Sequence, residues 1–100
     1  MRVIIINPQD CTISEGEASS LADMQKIVGG LIQPVALPCG HEVYVNEEGL
    51  FDSSLVPFRI LGAPTLVGPA FIAGGIDDNG DMLPATMTLL DAASRVRFAP

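Results

Sequence analysis

Apolar and polar residues change rhythm several times along this chain, and each rhythm predicts an element. Residues 2–6, RVIII, form a β-branched run suited to a buried strand, and Asn7-Pro8 ends it. Residues 9–19, QDCTISEGEAS, have no apolar period and predict a polar loop that delivers the chain to Ser20. Ser20 can cap a helix, with Asp23 at capping-box spacing and at the positive end of the dipole. Leu21, Met24, Ile27 and Val28 then share one helical face, and Gly29-Gly30 supplies the left-handed stop. A helix of two to three turns is marginal alone, so its stripe must pack on a sheet.

Residues 31–37, LIQPVAL, read as a strand whose Pro34 removes a ladder donor and places it at a sheet edge or bulge. The turn 38–41, PCGH, leads into 42–46, EVYVN, which alternates like a strand with one solvated face. Asn46-Glu47-Glu48-Gly49 closes it as a tight turn. The segment 50–63 has no clean period and predicts an irregular crossing connection, with a short helical turn at 52–56. Residues 65–76 are rich in β formers but interrupted by Gly68-Pro69 and Gly74-Gly75, and fit two strand pieces joined by a bulge or bend. Asp77-Asp78-Asn79-Gly80-Asp81 predicts a hairpin turn with Met82-Leu83 returning. Pro84 suits a helix start, and 85–97 carries Met87, Leu89, Leu90, Ala93 and Val96 on one face, with Arg95 and Arg97 suited to its negative pole. The sum is a single α+β domain over 1–100, a mixed or antiparallel sheet of about four or five strands with two helices.

The helix ending KIVGG, the LIQPV strand and the VYVNEEG strand-turn, with LVGPAFIAGG and DDNGD after them, resemble a family of small domains of unknown function common in phages and actinobacterial mobile DNA. Val28-Gly29-Gly30 and Asn46-Glu47-Glu48-Gly49 carry the likeness most specifically, and it spans roughly residues 1–84. Only 50–64 departs from the pattern, being richer in proline and apolar residues. The resemblance implies a fold type and a phage-like setting; it implies no activity.

Composition adds a constraint on assembly. The chain is 48% hydrophobic and only 17% charged, against a typical charged share of about 25%. A domain this small leaves much of its surface exposed, so homo-oligomerisation through an apolar face is expected. A formal net charge of −7 argues against a nucleic-acid surface, which needs a basic patch to displace counterions. Residues 1–6 match neither a signal peptide nor a membrane span, so a cytoplasmic protein (host cytoplasm, if phage-encoded) with Cys11 and Cys39 reduced is expected, and no membrane partner.

The candidate chemistry is sparse. The 77–81 turn lacks the glycine and glutamate positions of a calcium loop. Cys39 and His41 with Cys11 fall short of a structural zinc set, and as a nucleophile pair they have no orienting third group. His41 reads as a surface turn residue. Glu47, Glu48 and Asp52 read first as a solvated turn, with ligand hydrogen bonding as the functional alternative. No cofactor, metal or enzymatic activity is expected. Arg59 stands out: a guanidinium inside apolar PFRILG either pairs with Glu47, Glu48 or Asp52, or receives a phosphate through its fork. Two functions follow. One is a non-enzymatic small-molecule binder, similar to small viral proteins that sequester a host nucleotide immune signal between subunits. There Arg59 would hold phosphate, Asn46 and Glu47 would hydrogen-bond, and Tyr44 or Phe58 would stack on the base. The other is a protein-interaction module or inhibitor that docks on a host enzyme.

Overall fold

A central antiparallel sheet, apolar on both faces, orders the structure, a computed structural model that describes residues 1–52 and 54–98. Its strands are β1 (Arg2–Asn7), β2 (Thr12–Glu17), β3 (Ile32–Ala36), β4 (Glu42–Asn46) and β7 (Ala70–Ala73), in the order β2-β1-β7-β4-β3. A smaller sheet runs β6-β5-β8, from β5 (Pro57–Ile60), β6 (Leu66–Val67) and β8 (Val96–Phe98). Helix α1 is Leu21–Val28 and helix α2 is Leu89–Arg95. The chain is thus a single α+β domain with two helices, as the pattern predicts, and the second sheet is an addition to it.

Strand alternation sorts the core into two clusters. Ile4, Ile6, Val43, Val45, Ala70 and Ile72 point to one side, where Phe58, Ile60, Leu66, Met87, Ala92 and Val96 cover them. Val3, Tyr44, Phe71 and Ala73 point to the other, where Val28 is buried and Met24 and Ile27 pack against them. Period-2 side chains make this separation unavoidable once the central strands are covered on both sides. Pro34 lies on β3, an edge strand, as its missing donor requires.

Several elements differ from the pattern. β2 falls in the expected 9–19 loop, yet pairs with β1 along its whole length, Arg2 facing Glu17 through Asn7 facing Thr12. It is a polar edge strand, so its side chains carry no apolar signal. Arg2 bridges to Glu15 at 2.9 Å, and Gly16 leaves room for Ile5, which a Cβ would strike. β5 likewise emerges from the expected irregular connection, burying only Phe58 and Ile60. A 3-10 turn occupies Gly49–Phe51; of the expected helical turn at 52–56, residue 53 lies outside the described residues.

The second helix is shorter than the 85–97 periodicity suggests. Thr88 caps it, its hydroxyl accepting from Asp91 N–H at 3.0 Å. The segment before it is committed to tertiary bonds. Ala85 N–H donates to Arg2 O, Arg2 Nη1 donates to Ala85 O and Met87 O, and His41 Nε2 accepts from Thr86 and Met87 N–H at 3.2 and 3.3 Å. Backbone groups spent that way cannot close helical turns. Beyond Arg95 the β formers Val96 and Phe98 pair with β5. Leu90, expected on the buried face, is 82% exposed. His41 is therefore a half-buried clamp on the 85–87 segment; the two backbone donors fix its Nε2 as unprotonated.

The capping of α1 follows the sequence closely. Ser20 Oγ accepts from Asp23 N–H at 3.1 Å, and Gly29 adopts φ 81° with its N–H on Gln25 O. Val28-Gly29-Gly30 and Asn46-Glu47-Glu48-Gly49 meet at this helix end. Asn46 Nδ2 donates to Val28 O at 3.4 Å, and Asn46 Oδ1 accepts from Glu48 N–H at 2.8 Å. A Cβ on Gly30 would sit 2.8 Å from Asn46 Nδ2, so glycine is what lets the amide reach the helix.

Two predictions come from these joints. Asn46→Ala removes both bonds and should cost about 1–2 kcal/mol in chemical denaturation; wild-type stability would show the joint to be dispensable. Ser19 N–H and Oγ, each 2.9 Å from Asp23 Oδ2, hold the Asp23 carboxyl below its ordinary 3.8. A depressed carboxyl stabilises the fold above its unfolded value and loses that contribution as pH falls through the folded one. The melting temperature advantage of the protein over Asp23→Asn should therefore shrink between about pH 5 and pH 2, and a constant gap would refute the assignment.

Candidate functional site

The outer face of the small sheet carries the most unusual arrangement in the molecule. β5 alternates Phe58 and Ile60 inward with Arg59 outward, and β8 turns Val96 inward and Arg97 outward. The β5–β8 register sets Arg59 directly opposite Arg97. Like charges so placed repel, at a cost of a few tenths to about 1 kcal/mol. Arg95 ends α2 immediately before β8, and its carbonyl accepts from Leu61 N–H at 2.9 Å, which pins the helix end to the end of β5.

Arg59, Arg95 and Arg97 line one open cleft of about 430 Å³ with Leu61, Gly62 and Ser94. Three of the chain's five basic side chains thus converge in a protein of formal charge −7. Arg95 gives its Nε to Asp91 Oδ1 at 3.0 Å, leaving both terminal nitrogens. Arg97 Nη1 donates to Ser94 O and Val96 O, at 3.3 and 3.0 Å, the C-terminal capping that its position near a helix end suggests. Arg59 is exposed, and among the described residues it joins no ion pair. The intramolecular alternative is thereby removed for the described acids: Asp52 Oδ1 instead accepts from Ser54 Oγ and N–H, at 2.6 and 3.0 Å, which lowers its carboxyl.

The other residues expected beside Arg59 go elsewhere. Asn46 and Glu47 border a second hollow of about 220 Å³, with Gln33, Thr65 and Val67. The Asn46 amide is already engaged by Val28 and Glu48, whereas the Glu47 side chain is exposed. Phe58 is fully buried and Tyr44 is 2% exposed, so neither ring is presented to a ligand. Alternation decides this: Phe58 points under the small sheet, and Tyr44 points toward α1. Tyr44 stacks on Phe71, with ring centroids 4.9 Å apart and planes 11° apart. Burial, with a smaller contribution from Glu42, pushes its phenol up to about 12.

Arg95 and Arg97 read in the sequence as helix-end cations, and that reading hid their convergence. The available signal was Val96-Arg97-Phe98, which alternates like a strand, and the scarcity of cations overall. Cys39 Sγ lies 3.9 Å from His41 Nδ1, but Nε2 is committed to the backbone, so that ring is no free base. Among the described residues no group of three His, Cys, Asp or Glu is placed to hold a metal ion. No helix among them is long and apolar enough to cross a membrane.

No curated protein and no solved structure matches the chain significantly. One family model does match, a domain of unknown function, DUF3846, over residues 1–95. With nearly the whole described chain inside that match, the protein belongs to the DUF3846 family.

Proposed function

We propose that this protein is a non-enzymatic binder of phosphate-bearing small molecules of the nucleotide class, with the phosphate held by Arg59, Arg95 and Arg97. The observation that carries the reading is the Arg59–Arg97 juxtaposition, with Arg95 on the same cleft. A strongly acidic chain could relieve that repulsion with any neighbouring carboxylate, and an anionic ligand is what turns the pair from a cost into a gain. Guanidinium forks match phosphate oxygens in geometry as well as charge. The described residues that line the cleft are arginines, apolar residues, a glycine and Ser94, a lining suited to holding an anion, and the reading is one of binding without conversion.

Binding without conversion amounts to sequestration. In the phage-like setting that the family resemblance implies, the molecule held would be a host nucleotide signal. Homo-oligomerisation fits the same picture, because Leu61 at the cleft is 64% exposed and Leu90 on α2 is 82% exposed. Those residues also favour a second reading, an interaction module whose apolar surface docks on a host enzyme; Phe51, 89% exposed, adds to it.

Thermal shift separates the two. Cyclic dinucleotides, ADP-ribose and nucleoside phosphates form the panel. A ligand at about a hundredfold excess over its Kd stabilises by about 2.7 kcal/mol, on the order of ten degrees or more for a domain of this size. Arg59→Ala should abolish the shift while leaving the unliganded melting temperature unchanged or slightly higher, because a repulsion goes with the side chain. A flat response to every phosphorylated compound overturns the binder and leaves the docking module.

A further inference from the structure

We infer that the anionic group this cleft takes is a terminal phosphoryl group, a dianionic phosphomonoester, in preference to a bridging phosphodiester. The inference rests on the binding function proposed above and narrows its ligand. Charge is the first ground. Three guanidiniums and the Asp91 carboxylate on Arg95 leave the cleft with two positive charges. A terminal phosphate carries about −1.5 to −2 at pH 7 and presents three acceptor oxygens, its second ionisation falling near pH 6. A diester carries a single charge and one fewer free oxygen.

Donor layout is the second ground. Arg59 and Arg97 face one another across the β5–β8 pair, so a tetrahedral anion between them meets a guanidinium on each side. Arg95 approaches from the end of α2 with its terminal nitrogens, since Nε is held by Asp91. Arg97 offers Nε and Nη2, since Nη1 is spent on the carbonyls of Ser94 and Val96. Three guanidiniums on one cleft are thus available to three oxygens. The remaining oxygen, the one esterified to the rest of the ligand, finds no donor in Ser94, whose hydroxyl donates to Asp91 O at 2.6 Å. Exposed Leu61 on the same cleft offers an apolar surface suited to the flat face of a base carried on that oxygen.

The test is a titration of the whole chain with the four nucleoside 5′-monophosphates and their cyclic 3′,5′ diesters, at pH 7.5 and at pH 5.5. At the higher pH at least one monophosphate should bind about tenfold or more tighter than its diester. Its affinity should fall toward pH 5.5 as the second phosphate ionisation is lost, while diester affinity stays level. Arg97→Lys keeps the charge and removes the fork, and should narrow the preference with little change in folding. Equal binding of the two ester types, or a preference that does not respond to pH, overturns the terminal-phosphate inference and leaves the binder standing. Failure of every phosphorylated compound, monoester or diester, overturns both.

Discussion

A central sheet that must be covered on both faces is the constraint from which the remaining structure follows. β1, β4 and β7 put large apolar residues on alternate sides, so a single cover would leave half of them in water. The chain meets this with α1 on one side and the β6-β5-β8 sheet, with the approach to α2, on the other. Two covers from one hundred residues demand an apolar-rich sequence, and much of the 48% hydrophobic content is consumed that way. Bulk composition is therefore a weaker ground for self-association than the particular apolar residues left exposed. Leu61, Leu90 and Phe51, with Leu21, Leu31 and Ile76, lie exposed outside both clusters, where a partner would have something to cover.

The same constraint places the cations. β5 and β8 exist to lay Phe58, Ile60 and Val96 on the central sheet, and a strand that buries alternate residues must present the intervening ones outward. Arg59 and Arg97 occupy those outward positions. Antiparallel register then makes them direct neighbours, and the α2–β8 junction brings Arg95 in from the side. The cleft is thus a by-product of covering the sheet with a small second sheet. What covering does not require is arginine at each of those positions, in a chain that spends only five basic residues in all. That choice is the part that the proposed ligand would account for.

What could be read in the sequence was what local chemistry signals. The α1 caps, the Gly29 stop, Pro34 on an edge and the 77–81 turn each depend on residues within a few positions of one another. β2 and β8 were obscured because their evidence is long-range. β2 is polar and is held by its register with β1 and by the Arg2–Glu15 pair, which periodicity cannot show. The 85–88 segment is kept from helix by His41 and Arg2, both distant in sequence. The site was legible to the same extent. Arg59 announced itself by standing among apolar neighbours, whereas its companions are assembled by tertiary register alone. Tyr44 and Phe58 misled because aromatic residues near a cation serve stacking and core packing equally well, and strand alternation decided for the core.

Family membership and the cleft speak to different levels of the molecule. Val28-Gly29-Gly30 and Asn46-Glu47-Glu48-Gly49, the motifs by which the likeness is carried, meet in the joint between α1 and the end of β4, away from the arginines. They are architectural: they fix how one cover is attached to the central sheet. Arg59 and Arg95 lie within the family match, and Arg97 lies just past its end at residue 95. The third cation, the one that stands opposite Arg59, therefore lies outside the stretch that the family match covers. A chain that kept the α1 joint and placed a neutral residue opposite Arg59 would share the fold without the like-charge pair on which the proposed anion site rests.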